Sequence, residues 1–362
     1  MSILKKNSIS ALKIAGAYIG LVVGAGFATG QELMQFFVAY GIHGLWGIIL
    51  STVLFIIFGF IIMNLGDELK AKSHLDILKS SNGKILGITM DLLITICLFG
   101  SFTAMIAGTG ALFTQQFGLS GITGSLLMAV ITALTVLTGI HGVINSISIV
   151  VPFLLTSVIG ICLFSISKIP AGADPGIVIT KSGLVNNWVL SAILYTSYNT
   201  VISIAVLGPL GACAKNKKSI LNGAILGGLG LGLSSALIYL AISANLANIK
   251  DLEVPMSYIA ENISYTVHII FTFVLVAEIY TTAVGSLYGF TARLLDMEKS
   301  PLIGRITIVA TSIAAFIASL IGFSNLVKYL YPLVGYGGIL LLISLLLKYG
   351  IYKKKRTHQR RD

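Results

Sequence analysis

Apolar stretches long enough to cross a hydrocarbon core recur from one end of the chain to the other, with short polar segments between them. A helix needs roughly 20 residues to span ~30 Å. On that measure the pattern predicts ten spans, at about 9–39, 44–66, 84–117, 121–139, 144–167, 184–211, 218–248, 264–292, 302–322 and 326–350. The segments between them leave no room for a soluble domain, so residues 1–362 are expected to form one all-α polytopic membrane domain. The first apolar run starts after a basic segment but continues past signal-peptide length without a small-residue cleavage site, and reads as a retained span.

An offset of about 171 to 180 residues maps the first five spans onto the second five. Repeat one is then about 9–167 and repeat two about 184–350, with 351–362 as a basic tail. An odd number of spans per half inverts the second copy in the membrane, the plan of many secondary carriers.

The first span of each half carries an unusual segment. In the first, "GLVVGAGFATGQE" (Gly20 to Glu32) concentrates glycines where a membrane helix would be weakened. Backbone groups freed from the helical ladder are tolerated at that depth only beside water, protein or ligand. A plainer account exists, because Gly16, Gly20 and Gly24 recur every four residues as a small-residue packing seam. It covers Gly16 and Gly20 but not Gly26 and Gly30, which leave that period. A dinucleotide fingerprint is excluded, since the spacing is GxGxxxG and no strand precedes it. In the second half, "YTSYNT" (Tyr195 to Thr200) puts hydroxyl or amide groups on six consecutive positions. These sweep about 600° around a helix, so a second interruption lining a polar cavity is predicted. The plainer account is a helix whose hydroxyls bond back to its own carbonyls.

A third constellation lies in the eighth span, where Glu278, Thr282, Gly285 and Gly289 share a face with Thr281 and Ser286 on its flanks. An ionisable residue at that depth is a functional candidate by default. Threonine hydroxyls joined by carbonyls from an unwound neighbour would make an oxygen cage suited to a hard monovalent cation. Helix back-bonding by the threonines is the plainer alternative.

Composition agrees with the pattern: 56% of residues are hydrophobic and 10% charged, with a mean hydropathy of +0.95. The net charge of +11 raises the question of nucleic acid. With both termini inside, all 24 lysines and arginines except Lys168, Lys181, Lys250 and Lys328 fall on the cytoplasmic side. That asymmetry is an orientation signal facing anionic lipid, so the bilayer of the cell membrane is the expected partner and nucleic acid is not. Cys97, Cys162 and Cys213 show no CxxC pairing and read as small apolar fillers. The five histidines have no two at ligand spacing.

Taken together, the ten spans, the inversion and the segments "VVGAGFATGQE" and "LYTSYN" resemble the YkvI-like permeases, within the amino acid-polyamine-organocation superfamily and its leucine-transporter (LeuT) fold. The resemblance covers nearly the whole chain. It implies that helices 1 and 6 are broken at mid-membrane and hold substrate between them. "VGAG" is similar to the glycine-rich break whose amides receive a substrate carboxylate, which assigns Gly24, Ala25, Gly26 and Phe27. Tyr195 then matches an aromatic lid, the carbonyls of Tyr195 and Tyr198 accept a substrate ammonium, and Thr196, Ser197 and Asn199 tune the fit. In sodium-coupled members two adjacent hydroxyl residues on helix 8 hold a sodium ion. Thr281 and Thr282 match that pair, with carbonyls of Gly20, Val23 and Glu278.

The implied function is import of a small zwitterionic solute, an amino acid, coupled to sodium. The fifth span holds no lysine or arginine, the group that replaces sodium in proton-coupled relatives. Glu32, next to Gln31, is outside the superfamily pattern; it and Glu278 are candidate proton or cation sites. A divalent-metal importer does not fit, because the first break lacks acidic and amide side chains. Rival classes are a proton-coupled or uncoupled amine permease, a passive channel, and a sensor without transport. An intramembrane enzyme lacks a nucleophile–base or metal pair. Oligomeric state is left open by the sequence.

Overall fold

The computed structural model describes residues 9–71, 76–77, 83–138, 150–167, 183–295 and 301–358. The start of the predicted fifth span, the segment at 168–182 and the ends of both basic termini lie outside these residues.

Every major element among the described residues is helical. The first span comprises α1 (Ala11–Val22), a single turn α2 (Ala25–Ala28), α3 (Gln31–Phe36) and a 3-10 turn at Val38–Tyr40. There follow α4 (His43–Glu68), α5 (Gly83–Phe117), α6 (Gly121–Leu137) and α7 (Val150–Ser167). The second half contains α8 (Trp188–Ala212), α9 (Lys217–Ala244), the short α10 (Leu246–Ile249) and α11 (Pro255–Glu261), α12 (Tyr265–Leu294) and α13 (Pro301–Ser319). It ends with α14 (Phe323–Asn325), a π turn at Leu326–Leu330 and α15 (Tyr331–His358).

Among the described residues seven helices are long and apolar enough to cross a membrane: α4, most of α5, α8, α9, α12, most of α13, and the run Phe323–Ile351. Three shorter apolar helices, Ala11–Val22, Gly121–Leu137 and Thr156–Ser167, fall at the other predicted spans. Three helix starts carry the side-chain cap their sequences offer. Asn187 accepts from the Leu190 N–H at 2.8 Å, Asn216 from Ser219 at 2.8 Å, and Ser264 from Val267 at 3.2 Å.

The helices pack in two groups. In one, α1, α4, α8 and α9 lie against each other; in the other, α5, α6, α12 and α13 do. α7 lies against α9 and α12, and α15 against α8. Backbones approach closely in the first group: a Cβ at Gly66 would overlap the Gly208 carbonyl, and one at Gly211 the Met63 carbonyl.

Two expectations are corrected here. Gly16 is exposed and an added Cβ there would meet nothing within 4 Å, so it is not a packing seam. The close glycines are on the opposite helix: Gly223 faces Ile14 and Gly227 faces Tyr18. The second correction concerns helix 6, which is not broken at Tyr195–Thr200; α8 runs through that segment as a continuous helix. The threonine, serine and asparagine side chains find partners within the helix, and the two tyrosine hydroxyls do not. Thr196 donates to the Ala192 carbonyl at 2.9 Å, Asn199 to Tyr195 at 3.0 Å, Thr200 to Thr196 at 2.7 Å and Ser203 to Asn199 at 2.8 Å. Ser197 bonds Leu194 at 3.0 Å and also reaches α15 at Gly335, 2.7 Å away. Back-bonding therefore accounts for Thr196, Ser197, Asn199 and Thr200 without unwinding.

Candidate functional site

The first helix is interrupted where its glycines predict. Val23 (φ −76°, ψ 96°) and Gly24 (φ −111°, ψ −172°) are extended, and Gly30 sits at φ +81°. Only glycine takes that left-handed angle without strain, and a Cβ there would also press to 2.7 Å from Ile242 and 2.9 Å from Met256. A helix end leaves its last carbonyls and the next helix's first amides without intrahelical partners. The affected carbonyls are those of Gly20 to Val23, and the affected amides those of Gly24 to Phe27.

A cavity of about 110 Å³ opens beside this break. Its walls are Gly20 to Gly26 of the first helix, Cys97, Leu98, Ser101 and Met105 of α5, Tyr198, Asn199 and Ile202 of α8, Glu278, Thr282 and Ser286 of α12, and Tyr331 and Glu32. It is well below the ~300–1,000 Å³ of drug-sized sites, so it suits a small solute.

Glu32 projects back from α3 onto the break. It is 5% exposed, and the Tyr198 hydroxyl donates a hydrogen bond to its Oε2. Its carboxyl lies so close to Gly26 that an added Cβ there would fall 2.8 Å from Glu32 Cδ and overlap Oε1. Gly26 is therefore glycine because Glu32 occupies the volume of its side chain. Around Tyr198, ring contacts join Phe36 at 5.7 Å, Tyr195 at 5.7 Å and Tyr331 at 5.0 Å, which fix the ring that holds Glu32.

Across the cavity Glu278 is 3% exposed. Its Oε1 accepts a long hydrogen bond of 3.4 Å from Thr282, while its Oε2 has no partner among the described residues. Thr281 behaves differently from its neighbour. It is buried away from the cavity, and its hydroxyl donates to the Glu278 carbonyl at 3.0 Å. The expected adjacent-threonine pair thus splits, with Thr282 and the Glu278 carboxyl facing the cavity and Thr281 bonded to its own helix.

Of the other expected substrate residues, Gly24, Ala25, Gly26, Tyr198 and Asn199 line the cavity, as do Gly20 and Val23 of the expected ion set. Phe27, Tyr195, Thr196 and Ser197 do not. Tyr195 is fully buried behind the site against Phe37, at 4.9 Å between ring centres, and its carbonyl accepts the Asn199 amide. Because α8 is continuous, the carbonyls expected to meet an ammonium belong to its helical ladder.

The sequence reading missed Tyr331, Cys97 and Ser101 in the cavity wall, since nothing in their local pattern distinguishes them from packing residues. It also missed a network at the start of α3. Gln31 donates to Ser324 at 2.7 Å, the Ser324 amide donates to Glu253 at 3.3 Å, and the Met256 amide donates to the Thr29 carbonyl at 3.0 Å. Gln115 clasps both the amide and the carbonyl of Val254, at 3.0 and 2.9 Å. Burial pushes the Glu253 carboxyl above its ordinary range, opposed by its bond from Ser324.

No protein-family model matches the chain. It is 29% identical over 352 residues to the uncharacterized membrane protein YkvI of Bacillus subtilis (strain 168), covering 95% of this chain and 98% of that protein. It is also 29% identical over 334 residues to the uncharacterized protein YyaD of the same organism, covering 91% and 94%. The chain is thus a homologue of YkvI, as the sequence resemblance implies. Among solved structures it is similar to a substrate-bound, outward-open Na+-coupled sialic acid symporter, with TM-score 0.64, 12% identity, and coverage of 94% of this chain and 79% of that one. It is also similar to MhsT in complex with L-phenylalanine, with TM-score 0.58, 17% identity and coverage of 92% and 88%. A nucleobase-cation-symport-1 family transporter, Mhp1, matches at TM-score 0.54 and 12% identity, covering 91% and 75%. At these identities the likeness establishes the fold, which is the LeuT-type fold of transporters.

Proposed function

We propose that this protein is a secondary active transporter that imports a small solute bearing an ammonium group, coupled to sodium, with both termini cytoplasmic. The observation that carries this reading is the meeting of the interrupted first helix and the Glu278–Thr282 face of α12 in one cavity. Those two elements belong to different packing groups. Rocking of one group against the other would expose the cavity to each side in turn, which is alternating access. Amino acids, which the resemblance implies, and simple amines both meet the ammonium requirement.

The choice of sodium is supported by the chemistry of the donor set. Carbonyls freed at Gly20 and Val23, the Thr282 hydroxyl and the Glu278 carboxylate make a hard oxygen set, the kind that binds small hard cations. The sodium coupling of a symporter with this fold supports the choice of ion. Because ion and solute share the first-helix break, each would favour the arrangement the other needs.

The test is uptake into proteoliposomes under separate sodium and pH gradients. Thr282→Val is expected to raise the sodium concentration for half-maximal uptake about tenfold, equivalent to ~1.4 kcal/mol for one lost polar ligand. Thr281→Val is expected to leave it within about twofold, since its hydroxyl serves its own helix. Uptake that follows a pH gradient and ignores sodium would overturn the sodium assignment.

A further inference from the structure

The cavity carries more acid than a zwitterion balances. Glu32 and Glu278 both line it, and no lysine, arginine or histidine does so among the described residues. Glu278 Oε2 is buried and lacks a hydrogen-bond partner among the described residues. A buried carboxylate is strongly unfavourable unless it is compensated, so each of these two carboxyls takes either a proton or a positively charged occupant. One coupling cation offsets one carboxylate and leaves the other to a proton or to the solute.

The position of Glu32 sharpens this. Amides at the break offer donors to an anion, but the Glu32 carboxyl already lies on Gly26 in the middle of that segment. A solute carboxylate arriving there would meet a resident one in a cavity of about 110 Å³ that Glu278 also lines. Like charges at such separations repel strongly in a site shielded from water. The remaining walls suit a carbon-bearing cation. Tyr198 and Tyr331 present aromatic rings, and Leu21, Met105 and Ile202 present hydrocarbon. No group of three or more metal-ligating side chains occurs among the described residues.

We infer that the solute is an organic ammonium ion without a carboxylate, its ammonium group paired to Glu32 and its hydrocarbon part set between Tyr198, Tyr331 and Ile202. This rests on the cavity being the solute site. Glu32 then plays the part that a zwitterion's own carboxylate would play at the break, and selects against solutes that bring one.

Matched pairs that differ only in the carboxylate test the inference: methylamine and glycine, ethylamine and alanine, isobutylamine and valine, isoamylamine and leucine, phenethylamine and phenylalanine. Each is added to the purified protein in saturating sodium and the thermal stabilisation is titrated. At least one amine is expected to stabilise the protein with an affinity tenfold or more above that of its amino acid. Glu32→Gln is expected to lower that ratio at least tenfold, a change in selectivity that a purely structural role would not produce. Asn199→Leu, which fills the cavity wall, is expected to weaken the same amine. An amino acid that binds as tightly as its amine, with both weakened by Asn199→Leu, overturns the charge inference and leaves the cavity as the solute site. Binding unaffected by Asn199→Leu, or no binding by either series, overturns both.

Discussion

Gly26→Ala is expected to reduce solute uptake about 10- to 100-fold while the protein still folds and inserts. The added methyl group falls in the volume held by the Glu32 carboxyl, 2.8 Å from its Cδ and 3.0 Å from its Cγ. Something must move, and the Glu32 side chain is the movable partner because the other is backbone. Its displacement breaks the hydrogen bond from Tyr198. A hydrogen bond to a charged group contributes about 1.5–3 kcal/mol, which sets the range of the loss. Glu32→Asp shortens the side chain by one methylene, so Gly26→Ala combined with Glu32→Asp is expected to recover part of the uptake that Gly26→Ala loses. Full uptake by Gly26→Ala alone would show that the carboxyl is not needed at the break.

The second large effect concerns stability, and its sign reverses between glycines that look alike in sequence. Gly66 and Gly211 lie where α4 and α8 touch backbone to backbone, and a Cβ at either overlaps a carbonyl of the other helix. Neither helix can yield without the whole contact separating. Gly66→Ala and Gly211→Ala are each expected to cost about 3 kcal/mol, the upper end of ordinary overpacking. Gly16 is exposed on α1 with nothing within 4 Å of an added Cβ. Gly16→Ala is expected to stabilise by about 0.5–1 kcal/mol through helix propensity alone. Thermal unfolding in detergent with a fixed heating rate ranks the three. A Gly16→Ala protein that melts well below wild type would contradict the packing described for α1.

The contrast explains what the sequence could and could not reveal. The first break was legible because Gly26 and Gly30 depart from the four-residue period in an otherwise apolar span, and Gly30 takes the positive φ that its identity permits. The second was misread because six adjacent polar residues report only that partners are needed. Thr196, Asn199, Thr200 and Ser203 find them on their own helix, and Ser197 finds a further one on α15. Glycine spacing was likewise ambiguous, since period four on α1 does not say whether the close approach belongs to α1 or to Gly223 and Gly227 of α9. Glu32 was located correctly beside the break, but its partner Tyr198 is 166 positions away and its contact with Gly26 exists only after the chain folds back at Gly30. The split of Thr281 from Thr282 follows from a rotation of about 100° per residue on a helix, which puts neighbours on different faces unless the helix is distorted.

Counterflow decides whether the cavity at the first-helix break is the solute site of an alternating-access carrier. Proteoliposomes are loaded with the unlabelled amine that binds the purified protein, diluted into the same amine at trace labelled concentration, and sampled over time. A transient accumulation of label above its equilibrium level is expected, reduced at least tenfold by Tyr198→Phe, which removes the hydroxyl that holds Glu32. A monotonic rise to equilibrium with no overshoot, or an overshoot that Tyr198→Phe leaves unchanged, would contradict that role for the cavity.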